Sequence, residues 1–442
     1  MSESLQIIVI GGGAAGMMAA VTAAGNGAKV TICEQNEKLG KKLFITGKGR
    51  CNLTNESDSR NHLSQVVSNS RFLYSAESNF DAAGVCAFFS GLGLKLKTER
   101  GNRVFPESDH SSDVIRALEY ECRRLGVKIM LNSKVKAILT QHYLPDNLTE
   151  QVGDTEKNRN KAVRQTACTG VVLENGTKLQ ADRIILASGG VSYPLTGADG
   201  SGLDMARERG HSVTKLYPAL VPLVTEENWV TDLAGLSLRN ISITIKDGKK
   251  KLYEDFGEML FTHRGVSGPV ILSASSFITK DLEQGKKPDL IIDLKPALSE
   301  EVLDKRLLRE IEDAKTKQLK NMMASLLPQS LIPVVCERAG VSEQTKCCEL
   351  SKKHRRALLE TLKGLHLTIT GTEGFAQAII TQGGVNTKEI DPKTMESKIV
   401  KNLYFAGECI DVDAQTGGYN LQIAWSTGYA AGQNAANTIG SN

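Results

Sequence analysis

Leu5 to Ile10 is a short, β-branched and almost wholly apolar run, which predicts a strand buried on both faces of a parallel sheet. Small, apolar Ala14 to Ala24 predicts a helix, and Ala28 to Cys33 a second buried strand. Phe80 to Phe89 and Ser112 to Arg124 place apolar residues three and four apart, so two amphipathic helices are expected on either side of a hairpin, KLKTERGNRVFP. Val127 to Leu131, Lys134 to Leu139, Gly170 to Gly176 and Arg183 to Ala187 read as strands, while Pro145 to Gln165 is polar, without period, and reads as a hairpin-tip loop. The character changes at about Tyr193. Leu216 to Val224, Ile241 to Lys246 and Leu290 to Leu294 alternate like strands, and Leu298 to Leu327 and Leu331 to Arg338 read as charge-rich helices. Beyond Leu365 the first style returns, with buried strands expected at Ala376 to Ile380 and Leu403 to Ala406, then a small-residue helix through Ala424 to Ala436.

This order predicts an α/β fold in which both chain ends build one domain, 1–192 with 365–442, around an α+β insertion at 193–364 whose helical part is about 296–345. A chain of 442 residues is long enough for two or three domains.

The chemistry starts at Gly11-x-Gly13-x-x-Gly16, which joins the first strand to the first helix. The first glycine permits a tight turn, the second lets a pyrophosphate approach the backbone, and the third lets helix pack on strand, while the helix N-terminus offers free N–H groups. Glu34 ends the second strand 34 − 16 = 18 residues past the last glycine, where a carboxylate can accept from ribose hydroxyls. Strand, turn, helix, strand and acid in that order predict a dinucleotide without a 2′-phosphate, FAD or NAD. LGKKLFITGKGRCNLTN then gathers Lys41, Lys42, Lys48 and Arg50 among glycines and neutral donors, a loop able to wrap an anionic or polar ligand. Sharp glycine turns also end later strands, at Ser188-Gly189-Gly190, at Thr381-Gln382-Gly383-Gly384-Val385 and at Gly407-Glu408; for the second of these, ligand contact and a plain turn are equal readings. Thr416-Gly417-Gly418-Tyr419-Asn420 opens the last helix toward the same crevice. An adenosine half at Gly11 to Glu34 and an isoalloxazine at this helix N-terminus fit one extended FAD, with the helix dipole stabilising negative charge on the reduced ring.

Composition narrows the partners. A net charge of +4 is small for this length, and the clusters Lys249-Lys250-Lys251 and Lys352-Lys353-His354-Arg355-Arg356 lack interleaved aromatics, so no nucleic-acid partner is expected. No apolar run is long enough to cross a bilayer and the first strand starts by Leu5, leaving no room for a signal peptide, so a cytoplasmic protein is expected. Nine cysteines without C-x-x-C and seven scattered histidines predict neither a disulfide framework nor a metal site. Cys51, between Arg50 and Asn52, is either a redox group or a packing residue, and no resolving partner is close in sequence.

GGGAAG, TGKGRCNLTN, ASGGVSYPLTG, GEMLFTHRGVSGP, TQGGV, TMESK, LYFAGECIDVDAQTGGYNLQ and WSTGYAAG together resemble the BaiN-type flavoprotein family, to which aminoacetone oxidase-like proteins also belong. The resemblance spans nearly the whole chain, weakest at Gln141 to Arg164 and in the helical insertion. It implies a glutathione-reductase-type Rossmann-like FAD domain made from both ends, with an inserted β-barrel-like and helical substrate domain. It implies FAD contacts from Gly11, Gly13, Ala14, Ala15, Gly16, Glu34, Lys42, Thr46, Arg50, Asn52, Val135 (by its backbone, at the adenine), Gly407, Glu408, Asp411, Asn420 and Leu421. Gln35, Cys51 and Gly418 adjoin these and complete the expected cofactor set. Ser188 stands where the family usually has Thr, and Asp413-Ala414 where Asp-Gly is usual; neither change removes the chemistry needed to hold FAD.

For activity the resemblance implies two branches. One is reduction, by NADH or NADPH, of the 4,6-double bonds of 3-dehydro-bile acids or a similar enone, a small-molecule substrate; the other is oxidation of an aminoacetone-like amine by oxygen. A non-catalytic flavin module, redox-sensing or coupled to RNA modification, is the remaining alternative, and the lack of a basic, aromatic-rich surface argues against the RNA version. An ene reduction needs a group that polarises the ketone oxygen, and the candidates are Tyr193, His263, Arg264 and Tyr419. With no second nucleotide fingerprint, NAD(P)H would act as a transient donor visiting the flavin face, a feature that by itself tilts toward the oxidase. The 193–364 insertion suits a bulky acceptor and favours the reductase.

Overall fold

The computed structural model describes residues 4–143 and 165–437. The expected polar loop lies outside them except for its last position, which begins the strand Gln165–Leu173. The chain divides into two compact units, Met1–Tyr217 with Ile380–Asn442, and Pro218–Ile379.

In the first unit a five-stranded parallel sheet runs in the order Leu403–Phe405, Arg183–Leu186, Gln6–Ile10, Lys29–Cys33, Lys128–Met130. The strands are short and β-branched, and Ile7, Val9, Ile32, Ile184, Ile185 and Phe405 are fully buried, as a sheet covered on both faces requires. A strand from the end of the chain therefore pairs beside one from the middle. The first helix, Ala14–Gly25, and the last, Tyr419–Ala436, pack together through small residues. A Cβ on Gly428 would lie 2.5 Å from the Ala15 carbonyl oxygen, and one on Gly432 2.4 Å from that of Ala19, so the two backbones meet at a distance only glycine allows. Fully buried Trp425 donates its indole N–H to the Leu53 carbonyl at 2.9 Å, fixing the last helix to the segment after the second glycine loop.

The second unit is a closed antiparallel barrel in the order Leu223–Thr225, Gly265–Ser267, Lys250–Phe261, Ser237–Asp247, Asp289–Asp293, Leu365–Thr372. It ends beyond 364 because Leu365–Thr372 closes the barrel. It begins beyond 193 because the intervening turn belongs to the first unit, where Gln35 Nε2 donates to the Gly197 carbonyl and Asn36 Nδ2 to that of Thr196 at 3.0 Å. Three expected elements differ. Leu216 to Val224 is broken into Tyr217–Ala219 and Leu223–Thr225 by Leu220, at φ +50°. Leu298 to Leu327 is two helices, Glu300–Asp313 and Leu319–Met323, the second started by the Leu319 N–H turning to the Thr345 carbonyl. Ala376 to Ile380 is a turn in which the N–H groups of Gln377 and Ala378 return to the Gly374 carbonyl, so the strand forms only at Ile380–Gln382. Among the described residues no helix is long and apolar enough to cross a membrane.

A Ser-His-Glu set in the first unit, with Ser397 and His211 buried and Glu389 half-buried, has no signal in the sequence. His211 Nε2 lies 2.9 Å from Ser397 Oγ, and its Nδ1 3.3 Å from Glu389 Oε2. Ser397 Oγ already accepts the N–H groups of Ile399 and Val400, so its proton points to Nε2 and the imidazole carries its own on Nδ1. The serine is a structural tie, since both of its lone pairs are engaged and it is buried. Burial holds the His211 imidazole below its ordinary value of 6.5 against the opposing pull of Glu389. The unfolded state then binds the proton first, so stability falls as pH drops from about 6.5 toward the folded-state value. Urea midpoints measured between pH 7.5 and 5.5 are expected to fall for the native chain and to flatten in His211→Gln; an unchanged slope in the variant contradicts this assignment.

Candidate functional site

The carboxyl edge of the parallel sheet, where ligands of open α/β sheets bind, is where the glycine turns collect. Gly11 has φ +102°, and a Cβ there would lie 2.5 Å from the Ala187 carbonyl oxygen. A Cβ on Gly16 would stand 1.9 Å from the Gly11 carbonyl oxygen, so strand and helix close tightly. Gly13 is different, because a Cβ built on it meets nothing within 4 Å. Gly13 is also the N-cap of the first helix, with no side chain capping it and no acid in the first turn. The opening beside Gly13, with the helix N–H groups of Ala14, Ala15 and Gly16 at its floor, has the form that a pyrophosphate fills.

Glu34 is buried, and its carboxylate braces this turn. Oε2 accepts from the Gly12 N–H at 2.6 Å, and Oε1 from the backbone and side-chain amides of Asn36 at 2.8 and 2.7 Å. The backbone of Glu34 is tied to Met130 and Ser133, which brings buried Val135 to the same end of the sheet, where an adenine would follow the ribose. Gln35 is committed to the Gly197 carbonyl.

On the other side of the fingerprint, Lys42 Nζ sits 2.6 and 2.9 Å from the two oxygens of Glu408 and 2.7 Å from Ser192 Oγ. Gly407 lies against the first helix, its notional Cβ 2.7 Å from Ala15 Cβ, and its N–H donates to Thr427 Oγ1 of the last helix at 2.9 Å. Cofactor candidates from opposite ends of the chain thus meet at one edge. Asn52 contributes an unpaired buried Oδ1, an acceptor that a ligand N–H or O–H would satisfy. These features fit an extended FAD.

Other candidates are engaged elsewhere. Arg50 binds Glu99 and Asp109, and its guanidinium lies 4.2 Å above the Phe105 ring. The Thr46 hydroxyl donates to the Leu43 carbonyl at 2.7 Å. Asn420 spends its amide on Ala414 and Gln415, which shapes the loop before the last helix, and the Asp411 carbonyl accepts from Asn69. Leu421 is half-buried in that helix's first turn. Gly418 has φ +101° and presses on the Thr54 backbone. Cys51 is fully buried at φ +59°, its thiol pushed up to about 12 by burial, so it stays protonated.

Of the polarising candidates, Tyr193 is half-buried at φ +51° in the turn following Ser192, an uncommon conformation for a bulky residue. Tyr419 is buried, its hydroxyl held above the ordinary value by desolvation. It packs edge-on, at 4.8 Å, against His62, whose Nδ1 lies 3.4 Å from Glu77 Oε1. That fully buried pair carries no signal in the sequence, since neither residue falls in a glycine motif. His263 and Arg264 belong to the second unit and are exposed, Arg264 pairing with Glu373 at 3.1 Å.

Comparison with known proteins identifies the family. The sequence profile of the HI0933-like protein Rossmann domain matches residues 5–434. The chain is 34% identical over 434 residues to a 3-dehydro-bile acid delta(4,6)-reductase of Clostridium scindens, covering 98% of this chain and 99% of that one. It is 32% identical over 435 residues to a ribosomal RNA dihydrouridine synthase of Haemophilus influenzae, covering 97% and 98%. A ribosomal RNA dihydrouridine synthase of Escherichia coli is 30% identical over 437 residues, covering 98% of each. A fingerprint edge, a closing Gly-Glu turn and end-to-end likeness to these proteins make the chain a member of the HI0933-like family of FAD-dependent oxidoreductases.

Proposed function

We propose that the protein reduces a carbon–carbon double bond conjugated to a carbonyl, using NADH or NADPH as donor through FAD. The observation that carries this reading is what the named relatives have in common. A dehydro-bile acid reductase and a dihydrouridine synthase both saturate a double bond whose far carbon is made electrophilic by a carbonyl, although their substrates are otherwise unrelated. A steroid-like dienone is the first acceptor, supported by the relative at 34% identity and by basic clusters that are short and lack interleaved aromatics. A uridine of ribosomal RNA is the second, supported by the relatives at 32% and 30%; it runs against the expectation, drawn from composition, that no nucleic acid is involved.

FAD bound here would supply the two-electron carrier that takes hydride from the nicotinamide and returns it to the far carbon of the double bond. Gly11, Gly13, Ala14, Ala15 and Gly16 would receive its pyrophosphate, Glu34 the ribose and Val135 the adenine, with Asn52, Glu408 and the start of the last helix toward the ring. That helix N-terminus, opened by Gly417 and Gly418, would favour negative charge beside it. The Cys51 thiol, protonated by burial, holds its proton and leaves the site without a thiolate nucleophile. Tyr193 is the polarising candidate beside the sheet edge in the first unit, and His263 and Arg264 are the exposed candidates of the second.

The test is anaerobic. Holoprotein reduced by NADH or NADPH is mixed with a 3-oxo-4,6-diene steroid or with unmodified ribosomal RNA, and oxidised holoprotein is mixed with aminoacetone followed by oxygen. Rapid flavin reoxidation by either conjugated acceptor is expected. Indifference to both, with oxidised flavin bleached by aminoacetone and peroxide released on adding oxygen, replaces this reading with the amine oxidase.

A further inference from the structure

By sequence Thr381-Gln382-Gly383-Gly384-Val385 reads equally as a ligand loop or a plain turn, and the structure gives it a third position. It runs behind the closing Gly-Glu turn. The Val385 N–H donates to the Cys409 carbonyl at 2.8 Å, and the Asp411 N–H to the Val385 carbonyl at 3.0 Å. A Cβ on Gly384 would lie 2.6 Å from the Cys409 carbonyl oxygen, so the glycine permits this close approach.

Thr381, 1% exposed, uses both its amide and its hydroxyl at this edge. Its N–H donates to Glu408 Oε1 at 2.8 Å. Its hydroxyl oxygen accepts the N–H groups of Val191 and Ser192 at 2.9 and 3.1 Å, and its proton points to Ser192 Oγ at 3.3 Å. Ser192 Oγ in turn donates to Glu408 Oε1 at 2.8 Å. Even the preceding turn is cut to fit, because a Cβ on Gly190 would stand 2.4 Å from Thr381 Oγ1. Two segments remote in sequence therefore fix one carboxylate, and that carboxylate takes Lys42 with both oxygens.

We infer that Thr381 is a positioning residue for FAD, holding Glu408 and the Val191–Ser192 turn in place so that the Glu408–Lys42 pair is preset at the cofactor edge. This rests on the reading of that edge as the FAD site. The hydroxyl is the operative group. Without it the Val191 and Ser192 N–H groups lose the Thr381 hydroxyl as an acceptor, and the turn that brings the Ser192 hydroxyl to Glu408 is held less firmly.

The test is a double-mutant cycle on the full chain, stripped of flavin and titrated with FAD while flavin fluorescence is followed. Thr381→Val is expected to weaken FAD binding by about tenfold, the scale of one unsatisfied buried hydrogen bond. Thr381→Ser is expected to restore it. In a Glu408→Gln background the same Thr381→Val change is expected to cost less than about threefold, because the two residues act as a unit. A residue that merely supported the fold would lower thermal stability in both backgrounds and leave the cycle additive. Unchanged FAD affinity in Thr381→Val, or an equal loss in both backgrounds, overturns the inference. Should Thr381→Val not fold, Ser192→Ala passes through the same cycle, with a smaller, likewise non-additive loss expected and an additive one overturning it. Native protein that takes up no FAD at all instead removes the site reading beneath.

Discussion

Valine in place of Gly13 is expected to give a protein that folds normally and does not retain FAD. Most glycines of the fingerprint cannot be used for such a test, because they serve the fold. At Gly11 and Gly16 an added Cβ would meet backbone carbonyls at 2.5 and 1.9 Å, and strand and helix would have to part. At Gly13 the space is open, with nothing within 4 Å, and its φ of −80° is ordinary for any residue. The side chain would enter only the volume that the pyrophosphate needs. Forcing it against a bound group costs about 3 kcal/mol, on the order of a hundredfold in FAD affinity. Equal thermal unfolding of the flavin-free native and variant proteins, with loss of FAD from the variant alone, is the expected pair of measurements. A yellow Gly13→Val protein with native affinity would place the dinucleotide elsewhere.

The second large effect is expected in the fold. Gly432→Val puts a branched side chain where a Cβ alone would stand 2.4 Å from the Ala19 carbonyl oxygen. Neither helix can yield cheaply, since Ala19, Ala430 and Ala431 are fully buried around the contact. A loss of about 3 kcal/mol or more is expected, lowering the midpoint of thermal unfolding by roughly 5–10 °C for a unit of this size. Gly25→Ala, at the end of the same first helix with nothing within 4 Å, is the matched control and is expected to be neutral or slightly stabilising. If Gly432→Val unfolds with its control, the two ends of the chain do not depend on this contact.

Much of the fingerprint could be read before any coordinates, because its constraints are local. A buried parallel strand needs an apolar run, a tight turn needs glycine, and a carboxylate at the end of the second strand stands at a fixed spacing. The same locality explains the errors. The stretches Leu216 to Val224 and Ala376 to Ile380 are apolar enough for strands, but a left-handed Leu220 and the turn at Gly374 break them. Arg50 carries charge in the right loop, and its partners Glu99 and Asp109 lie on a hairpin and in the turn just past it, which the sequence located without showing what they faced. His211 and the His62–Glu77 pair had no signal, since their meaning lies in residues that are distant along the chain.

By itself the sequence determined the α/β class, the dinucleotide turn, the return of the chain end to the first domain and, through its motifs, the flavoprotein resemblance. These follow from hydrophobic period and from glycine at positions where a side chain has no room. Only the tertiary structure decided that Leu365–Thr372 closes the barrel, that Glu408 meets Lys42, and that Thr381 braces the turn behind it. Such pairings depend on which sheet edge each strand ends at, and a carboxylate acquires its counter-charge only after the strands between have found their neighbours.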